Sequence, residues 1–137
     1  MPDINYSDKS VFEQAHQLFA RDTHLAILLD VEARVLYSNN SFVNLENYYQ
    51  NSILPIFPFL EHLLMPTVPE VSINFVETVL YDKTVNYRCI IRSFEQFSRQ
   101  YYFVILQDVS WYHQELQRIQ QERNEAYLAK EKEDNKQ

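Results

Sequence analysis

Histidine, cysteine, carboxylate and hydroxyl side chains are the groups of this sequence that could carry chemistry. Their spacing along the chain does not predict a common metal or catalytic site. The histidines, His16, His24, His62 and His113, show none of the short spacings that metal sites use. Cys89, the single cysteine, has no histidine or second cysteine beside it in the sequence. Spacing also brings no Ser/His/Asp set and no pair of carboxylates to a common site. We therefore predict that this segment is not an enzyme and holds no metal.

Composition narrows the class of protein further. The 137 residues are 46% hydrophobic, which suits one domain with a buried core, and they include no glycine. Phosphate-binding loops need glycine to let the backbone approach the phosphates, so such nucleotide-binding enzymes are excluded. The net charge of −7 argues against nucleic acid and against anionic membrane surfaces. A single cysteine, no membrane-length apolar run and no signal peptide predict a cytoplasmic segment without membrane contact.

Asp108 and Ser110 stand where an apolar run passes into a charged sequence. Residues 101–106 are all apolar, and no proline or glycine separates them from the polar residues that follow position 110. We predict a strand over 100–109 that continues directly into a helix, with Asp108 or Ser110 capping its first N–H groups. The junction of Asp108, Val109 and Ser110 would then transmit a change in the sheet to the helix.

The terminal helix, predicted over 111–137, carries a seam at alternating spacings of three and four residues. This pattern is typical of a coiled coil, strong up to Ile119 and weak beyond it. Two good heptads do not establish a stable coiled coil alone, so a solvated helix with interspersed charges remains the alternative. We expect the natural chain to continue past Gln137. The seam residues are Val109, Tyr112, Leu116, Ile119, Arg123, Ala126 and Lys130.

A second helix is predicted near the start of the chain, within residues 1–22. Ser10 and Glu13 have the spacing of a capping box. The apolar stripe that follows either packs on its own domain or forms a dimer contact with a second chain. Its residues are Val11, Ala15, Leu18 and Phe19.

The first half of the body reads as a hairpin followed by short helices. The apolar run over 25–29 and the segment 34–38 predict two paired strands. Asn39 or Asn40 is suited to cap a following helix that contains Phe42, Val43 and Leu45. Prolines divide residues 48–70, so only short helices fit there, the best being Phe57 to Met65.

Three antiparallel strands make up the second half, over 73–80, 85–94 and 100–109. The middle one alternates, with Tyr87 and Cys89 on a buried face, while the last is apolar on both faces. A strand covered on both sides is usually central in its sheet.

This order of elements resembles that of PAS domains. Leu28-Leu29-Asp30 followed by residues 34–42 resembles the opening PAS hairpin and helix, with their Asp-x-x-Gly turn and Tyr-x-Asn-x-x-Phe pattern. Residues 80–83 resemble the later strand and turn, and Gln107-Asp108-Val109-Ser110 resembles the closing Asp-Ile-Thr motif. The resemblance covers roughly residues 10–125. It implies an α+β fold with a five-stranded antiparallel sheet, short helices on one face, a flanking helix, a sensory domain over 23–110 and a coiled-coil-type signalling helix.

The turns depart from the family at two glycine positions, which Ala33 and Lys83 occupy. A side chain there costs roughly 1 kcal/mol if φ stays positive. We expect both turns to have changed type.

The resemblance identifies no cofactor. The Asn-Cys-Arg motif of flavin-binding PAS domains is absent, and Cys89 lies in a strand, the wrong element for the photoactive-yellow chromophore. Haem-binding PAS domains use a histidine on the short helix before the third strand, where His62 lies, but a lone helical histidine is more often a surface residue. The cofactor therefore stays unknown, and haem is not expected.

The function implied by the resemblance is a sensory and dimerisation module, linked to an effector such as a histidine kinase or, less often, a diguanylate cyclase. Its partners would be a second copy, the covalently linked effector and a small ligand. Two alternatives stay open: a ligand-free interaction module whose interior is filled by aromatic residues, and an enzyme or carrier on an unrelated curved sheet. The predicted ligand cavity is lined by Ile27, Leu29, Tyr37, Phe42, Leu45, Phe57, Leu60, Leu64, Tyr87, Cys89, Phe103 and Ile105.

Overall fold

The computed structural model describes the backbone of residues 2–21 and 23–134 and the side chains of 8–21, 23–110 and 115–130. In chain order the elements are α1 (Pro2–Phe19), β1 (Leu25–Leu29), β2 (Val35–Ser38), 3₁₀ turns at Glu46–Tyr48 and Pro58–His62, β3 (Glu70–Leu80), β4 (Lys83–Gln96), β5 (Arg99–Asp108) and α2 (Ser110–Asp134). The five strands form one antiparallel sheet in the order β2-β1-β5-β4-β3. The predicted α+β fold with a five-stranded antiparallel sheet is confirmed, and β5, the strand predicted to be apolar on both faces, is central in the sheet.

Both long hairpins close through two-residue turns, which are tighter than the sequence predicted. Tyr81 and Asp82 join β3 to β4 with φ of 51° and 63°, and Phe97 and Ser98 join β4 to β5 with φ of 53° and 61°. Turns with two positive φ values match the right-handed twist of the strands, and they usually contain glycine or asparagine. Because the chain has no glycine, these turns place larger side chains in the left-handed region. Lys83 itself begins β4, so that turn has shifted as expected.

The turn between β1 and β2 keeps a positive φ at the position where the motif has glycine, against expectation. Ala33 has φ of 63°, and its N–H donates to the carbonyl oxygen of Asp30. The Asp30 carboxylate accepts the N–H groups of Glu32 and Arg34 at 2.9 Å each. These bonds hold the turn with a side chain in the left-handed region, at a cost of about 1 kcal/mol.

The helix predicted after Asn39 or Asn40 is absent from the described residues, where 41–45 form bends and a loop. Asn39 instead joins the ends of two strands, accepting the Ala26 N–H at 3.0 Å and donating to the His24 carbonyl oxygen at 2.8 Å. Asn40 has φ of 52°, and its side chain accepts the N–H of Leu45. Both side chains thus bond locally to backbone in ways that compete with a helix start.

Two apolar clusters lie on opposite faces of the sheet. The inner face is covered by residues 39–65, and its cluster includes Leu25, Ile27, Leu29, Val35, Leu45, Ile53, Phe57, Leu60, Tyr87, Cys89, Ile91, Val104 and Leu106. The outer face is covered by α1, and its cluster includes Val11, Phe12, Ala15, Ala26, Leu28, Tyr101, Phe103 and Ile105.

Helix α1 lies on the outer face and is longer than predicted. It begins at Pro2, so the Ser10 capping box falls inside the helix rather than at its start. The Phe12 ring packs against the rings of Tyr37 and Phe103, with centroid distances of 4.7 and 5.8 Å. This contact makes α1 part of the fold of its own chain.

Candidate functional site

The junction of Asp108, Val109 and Ser110 connects β5 to α2 with Val109 as the only residue between strand and helix. The Asp108 carboxylate accepts the Ser110 N–H at 2.9 Å. This bond satisfies one of the N–H groups that a helix leaves unpaired at its start. Asp108 therefore has the capping geometry predicted from the sequence.

Asn86 of β4 fastens this junction to the sheet. Its N–H donates to the Ser110 hydroxyl oxygen at 3.0 Å, and its carbonyl oxygen accepts the Val109 N–H at 2.9 Å. Ser110 thus bonds to the neighbouring strand as well as starting the helix. No feature of the sequence marks Asn86 as part of the junction, because its backbone atoms, which every residue type has, make these bonds.

Tyr87 links the junction to the inner face. It follows Asn86 in β4 and is the strand partner of Asp108. Its buried ring packs edge-on against Phe57 at 6.0 Å and stacks with Phe42 at 5.6 Å between centroids. Burial, with a further contribution from the Asp108 charge, raises the pKa of Tyr87 to about 12. An aromatic cluster of the core therefore lies one residue away from the strand-to-helix junction.

Most of the predicted cavity residues do share one face. Within the inner cluster, each of the following is at most 1% exposed: Ile27, Leu29, Leu45, Phe57, Leu60, Tyr87 and Cys89. Leu64 packs against that cluster, and Phe42 lies at its rim, stacked on Tyr87 and 37% exposed.

Three predicted cavity residues, Tyr37, Phe103 and Ile105, lie on the outer face instead. Their assignment to the cavity is wrong, because the register pairs Cys89 with Leu106 and so puts alternate residues of β5 beneath α1. Val104 and Leu106 take their place on the inner face.

The inner face is filled by apolar side chains around these residues. Of the pockets that described residues line, two have none of the twelve predicted cavity residues in their walls. Burial also raises the pKa of the Cys89 thiol to about 12, which makes the thiolate scarce and the group unreactive.

His62 does not fit a haem ligand. It is exposed and ends the 3₁₀ turn Pro58–His62, whose buried residue is Leu60. A haem on the inner face would have to displace the aromatic and aliphatic side chains packed there. Among the described residues, no group of three or more histidines, cysteines and carboxylates is placed to hold a metal ion.

The predicted dimer residues separate into buried and exposed ones. Val11 and Ala15 are buried against their own sheet, so their assignment to a dimer contact is wrong while α1 is docked. Leu18 is 73% exposed, whereas the ring of Phe19 lies 3.8 Å from the Arg92 guanidinium of its own chain. Leu116 is half-buried and Ile119 is 40% exposed, and the side chain of Tyr112 is outside the described residues.

Helix α2 leaves the sheet after its first turns. All residues from 117 to 130 are exposed, including Tyr127 and Leu128. Its charged side chains pair along the helix, as Arg118 does with Glu115 and Glu122. Within the part of the chain that the structure describes, neither helix is long and apolar enough to span a bilayer.

Comparisons with known proteins identify the fold. The sequence matches no protein-family model and no curated protein. The structure is similar to the PAS domain of nitrogen regulation protein NR(II) from Vibrio parahaemolyticus, with a TM-score of 0.54 and 11% identity over 63% of this chain and 89% of that one.

Two further solved structures agree with that similarity. A PAS domain from a two-component sensor histidine kinase gives a TM-score of 0.54 and 13% identity over 73% of this chain and 97% of that one. The PAS domain of an HTR-like protein from Haloarcula marismortui gives a TM-score of 0.52 and 13% identity over 73% of this chain and 98% of that one. The chain therefore has the α+β PAS fold, as its sequence motifs predicted.

Proposed function

We propose that this chain is a cytoplasmic regulatory PAS module that passes changes in sheet packing to α2, and through α2 to a covalently linked effector. One observation carries the proposal: β5 passes into α2 through a single residue, and the backbone of Asn86 fastens that junction to β4. A shift of β4 against β5 must therefore either move the start of α2 or break these bonds.

The aromatic contacts around Tyr87 offer a route by which a change at the surface could reach the junction. Phe42 is partly exposed and stacks on Tyr87, whose backbone adjoins Asn86. A partner or ligand that displaces Phe42 would alter the packing of Tyr87 beside Asp108. Interiors are close-packed, so such a displacement moves neighbouring groups rather than being absorbed.

Dimerisation through α2 is the second part of the proposal. A helix exposed on all sides over many residues has little tertiary packing to stabilise it. Pairing along the seam through Leu116 and Ile119 would supply that packing and place two α2 helices side by side. Leu18, exposed near the end of α1, is available for the same interface.

Sedimentation equilibrium of the whole chain tests this interface. We expect a dimer whose dissociation constant rises about tenfold or more in Ile119→Asp, because a seam carboxylate must be desolvated. Leu128→Asp, an exposed position off the seam, is the matched control and should leave the dimer unchanged. A wild-type chain that stays monomeric at high concentration would reject dimerisation.

The proposed effector is a histidine kinase, the class named for one of the similar structures. In a fusion of this chain to a histidine-kinase core through Gln137, we expect Asp108→Ala to change the rate of autophosphorylation. Glu77→Ala, exposed on β3, should not change it. Equal rates for wild type and Asp108→Ala would reject the relay.

The filled inner face favours a module that works without a ligand inside the core. The predicted cavity residues are packed against each other there, and the rings of Phe57 and Tyr87 occupy its centre. Native mass spectrometry of freshly purified protein should show no small molecule whose retention depends on Phe57. A bound small molecule that is lost in Phe57→Trp would instead restore the ligand-cavity hypothesis.

A further inference from the structure

A charged pocket lies on the other side of the molecule from the packed interior, at the end of the sheet where β5 begins. Its volume is about 250 Å³. Five parts of the chain supply its walls: Asp8 from α1, Asp30 and Arg34 from the turn between β1 and β2, Leu36 from β2, Gln50 from the loop before β3, and Arg99 from β5.

Two ion pairs line this pocket and balance its charge. Asp8 pairs with Arg99 at 3.3 Å, and Asp30 pairs with Arg34 at 3.1 Å. An anion alone would meet two carboxylates here, and a cation alone would meet two guanidinium groups. A molecule that carries both charges can face a group of opposite sign at each end.

Both arginines are partly open to solvent at the pocket. The Arg34 and Arg99 side chains are 47% and 43% exposed, whereas their partners Asp30 and Asp8 are only 19% and 6% exposed. Each guanidinium has five N–H donors. Arg99 uses one nitrogen for Asp8, while Arg34 uses two, for Asp30 and Glu32. Donors therefore remain on both arginines for a ligand carboxylate.

The charged form of Asp8 is disfavoured by burial. Its side chain is only 6% exposed, with Arg99 and the Tyr101 hydroxyl as partners. Burial raises the pKa of Asp8 despite the nearby Arg99 charge, and the Asp30 carboxylate adds to the increase. A second cation beside Asp8 would stabilise its charged form.

We propose that this pocket binds a small zwitterion of the free α-amino-acid class, with its carboxylate on Arg34 and Arg99 and its ammonium group on Asp8. Leu36 offers an apolar contact to the ligand side chain, and the Gln50 amide offers both a donor and an acceptor. The site is separate from the inner face and stands whether or not the junction at Asp108 relays a signal.

Nuclear magnetic resonance of the full chain, ¹⁵N-labelled, tests the proposal with paired probes. One probe is an equimolar mixture of the twenty proteinogenic α-amino acids. The other is the same mixture acetylated at the amine and amidated at the carboxyl, which removes both main-chain charges. We expect the free mixture, and not the capped one, to shift the Gln50 amide and the Nε–H signals of Arg34 and Arg99. Absent shifts, or equal shifts with both mixtures, would overturn the site.

Charge-neutral variants then locate the site. With the amino acid that gives the largest shift, Arg34→Gln and Arg99→Gln should each weaken binding about tenfold or more, because each removes a charge-assisted hydrogen bond. Arg88→Gln, an exposed arginine on β4 outside the pocket, should bind like wild type. Arg99→Gln also loosens α1, whereas Arg34→Gln leaves the contacts of α1 in place. Unchanged affinity in Arg34→Gln would therefore count against the site even if Arg99→Gln failed to fold.

Discussion

The two faces of the sheet are held by different kinds of contact. On the inner face, aliphatic and aromatic side chains pack against each other and are almost fully buried. On the outer face, α1 contributes a smaller apolar patch and is held as well by polar contacts along β4 and β5. These contacts join Asp8 to Arg99, Gln14 to Gln96 at 3.2 Å, and Phe19 to Arg92.

The two kinds of contact differ in how easily they can be rearranged. An apolar core resists change, because every lost contact leaves a cavity that neighbouring groups only partly fill. Polar pairs at a partly exposed interface exchange partners with water, ions or a ligand at little cost. We infer that the inner face maintains the fold, and that solution conditions or a ligand can alter how α1 docks on the outer face.

Strand β5 connects the two regions. It begins at Arg99 beside the charged pocket and ends at Asp108 beside the junction, a span of about 30 Å for its ten residues. Alternate residues of this strand serve the two faces, with Phe103 and Ile105 beneath α1 and Val104 and Leu106 in the inner core.

The largest effect is expected on the inner face. Phe57→Ala should lower the free energy of unfolding by about 3–5 kcal/mol, because it removes a fully buried ring from the middle of the packed cluster. Urea unfolding followed by circular dichroism measures the change. A loss below 1 kcal/mol would mean that the inner face is not the tightly packed region described.

A smaller and more local effect is expected on the outer face. Phe12→Ala should cost about 2 kcal/mol, because α1 can leave the sheet while the inner core stays intact. Amide hydrogen exchange should then accelerate in α1 and not in β4. Equal acceleration in both elements would show that the two faces unfold as one unit.

The docking of α1 should also depend on pH through Asp8. A folded-state pKa raised above the unfolded value gives stability that is full below the unfolded pKa and lost as pH rises through the folded pKa. Burial is the main cause of the raised pKa of Asp8, the Arg99 charge and the Tyr101 hydrogen bond oppose it, and the Asp30 carboxylate adds to it. Asp8→Asn should therefore gain stability relative to wild type as pH rises from below about 3.8 through the raised pKa, and then stay level.

Thermal unfolding of both proteins across this pH range gives the difference curve, which cancels the contribution of the other carboxylates. A curve with the opposite slope would mean that the ion pair with Arg99, rather than burial, determines the direction in which the pKa of Asp8 shifts.

The smallest effect concerns the turn at the rim of the inner face. Ala33→Gly should raise the free energy of unfolding by about 0.5 kcal/mol, since it relieves the positive φ at a modest entropic cost. Ala26→Gly, in β1 without a positive φ, should destabilise the protein and serves as the control. Destabilisation by both substitutions would show that Ala33 contributes more by packing than it costs by strain.

The sequence predicted the strands and the junction more successfully than it predicted faces and turns. Strong local patterns located β1, β4 and β5, and the apolar character of β5 on both sides marked it as central. Because β5 is apolar on both sides, its sequence does not indicate which face Phe103 and Ile105 take. The register of β5 against β4 decides this, and register depends on contacts between residues distant in the chain.

The remaining differences also have local physical causes. Asn39 had the right chemistry for a helix cap, but its side chain found backbone partners in β1 and at His24 instead. The tight turns at Tyr81 and Phe97 were missed because neither contains the glycine that usually marks them. Asn86 was missed because its contribution to the junction comes from backbone atoms.

The junction is tested most directly by electron–electron distance spectroscopy between spin labels at Glu77→Cys on β3 and Gln120→Cys on α2, diluted with unlabelled protein so that only distances within one chain are observed. The buried, unreactive Cys89 should stay unlabelled. We predict that Phe42→Ala changes the distance distribution by disturbing Tyr87. We also predict that this change disappears when Ser110→Ala removes the side-chain bond to Asn86. An unchanged distribution in Phe42→Ala, or the same change with and without Ser110→Ala, would contradict the claim that this junction couples the sheet to α2.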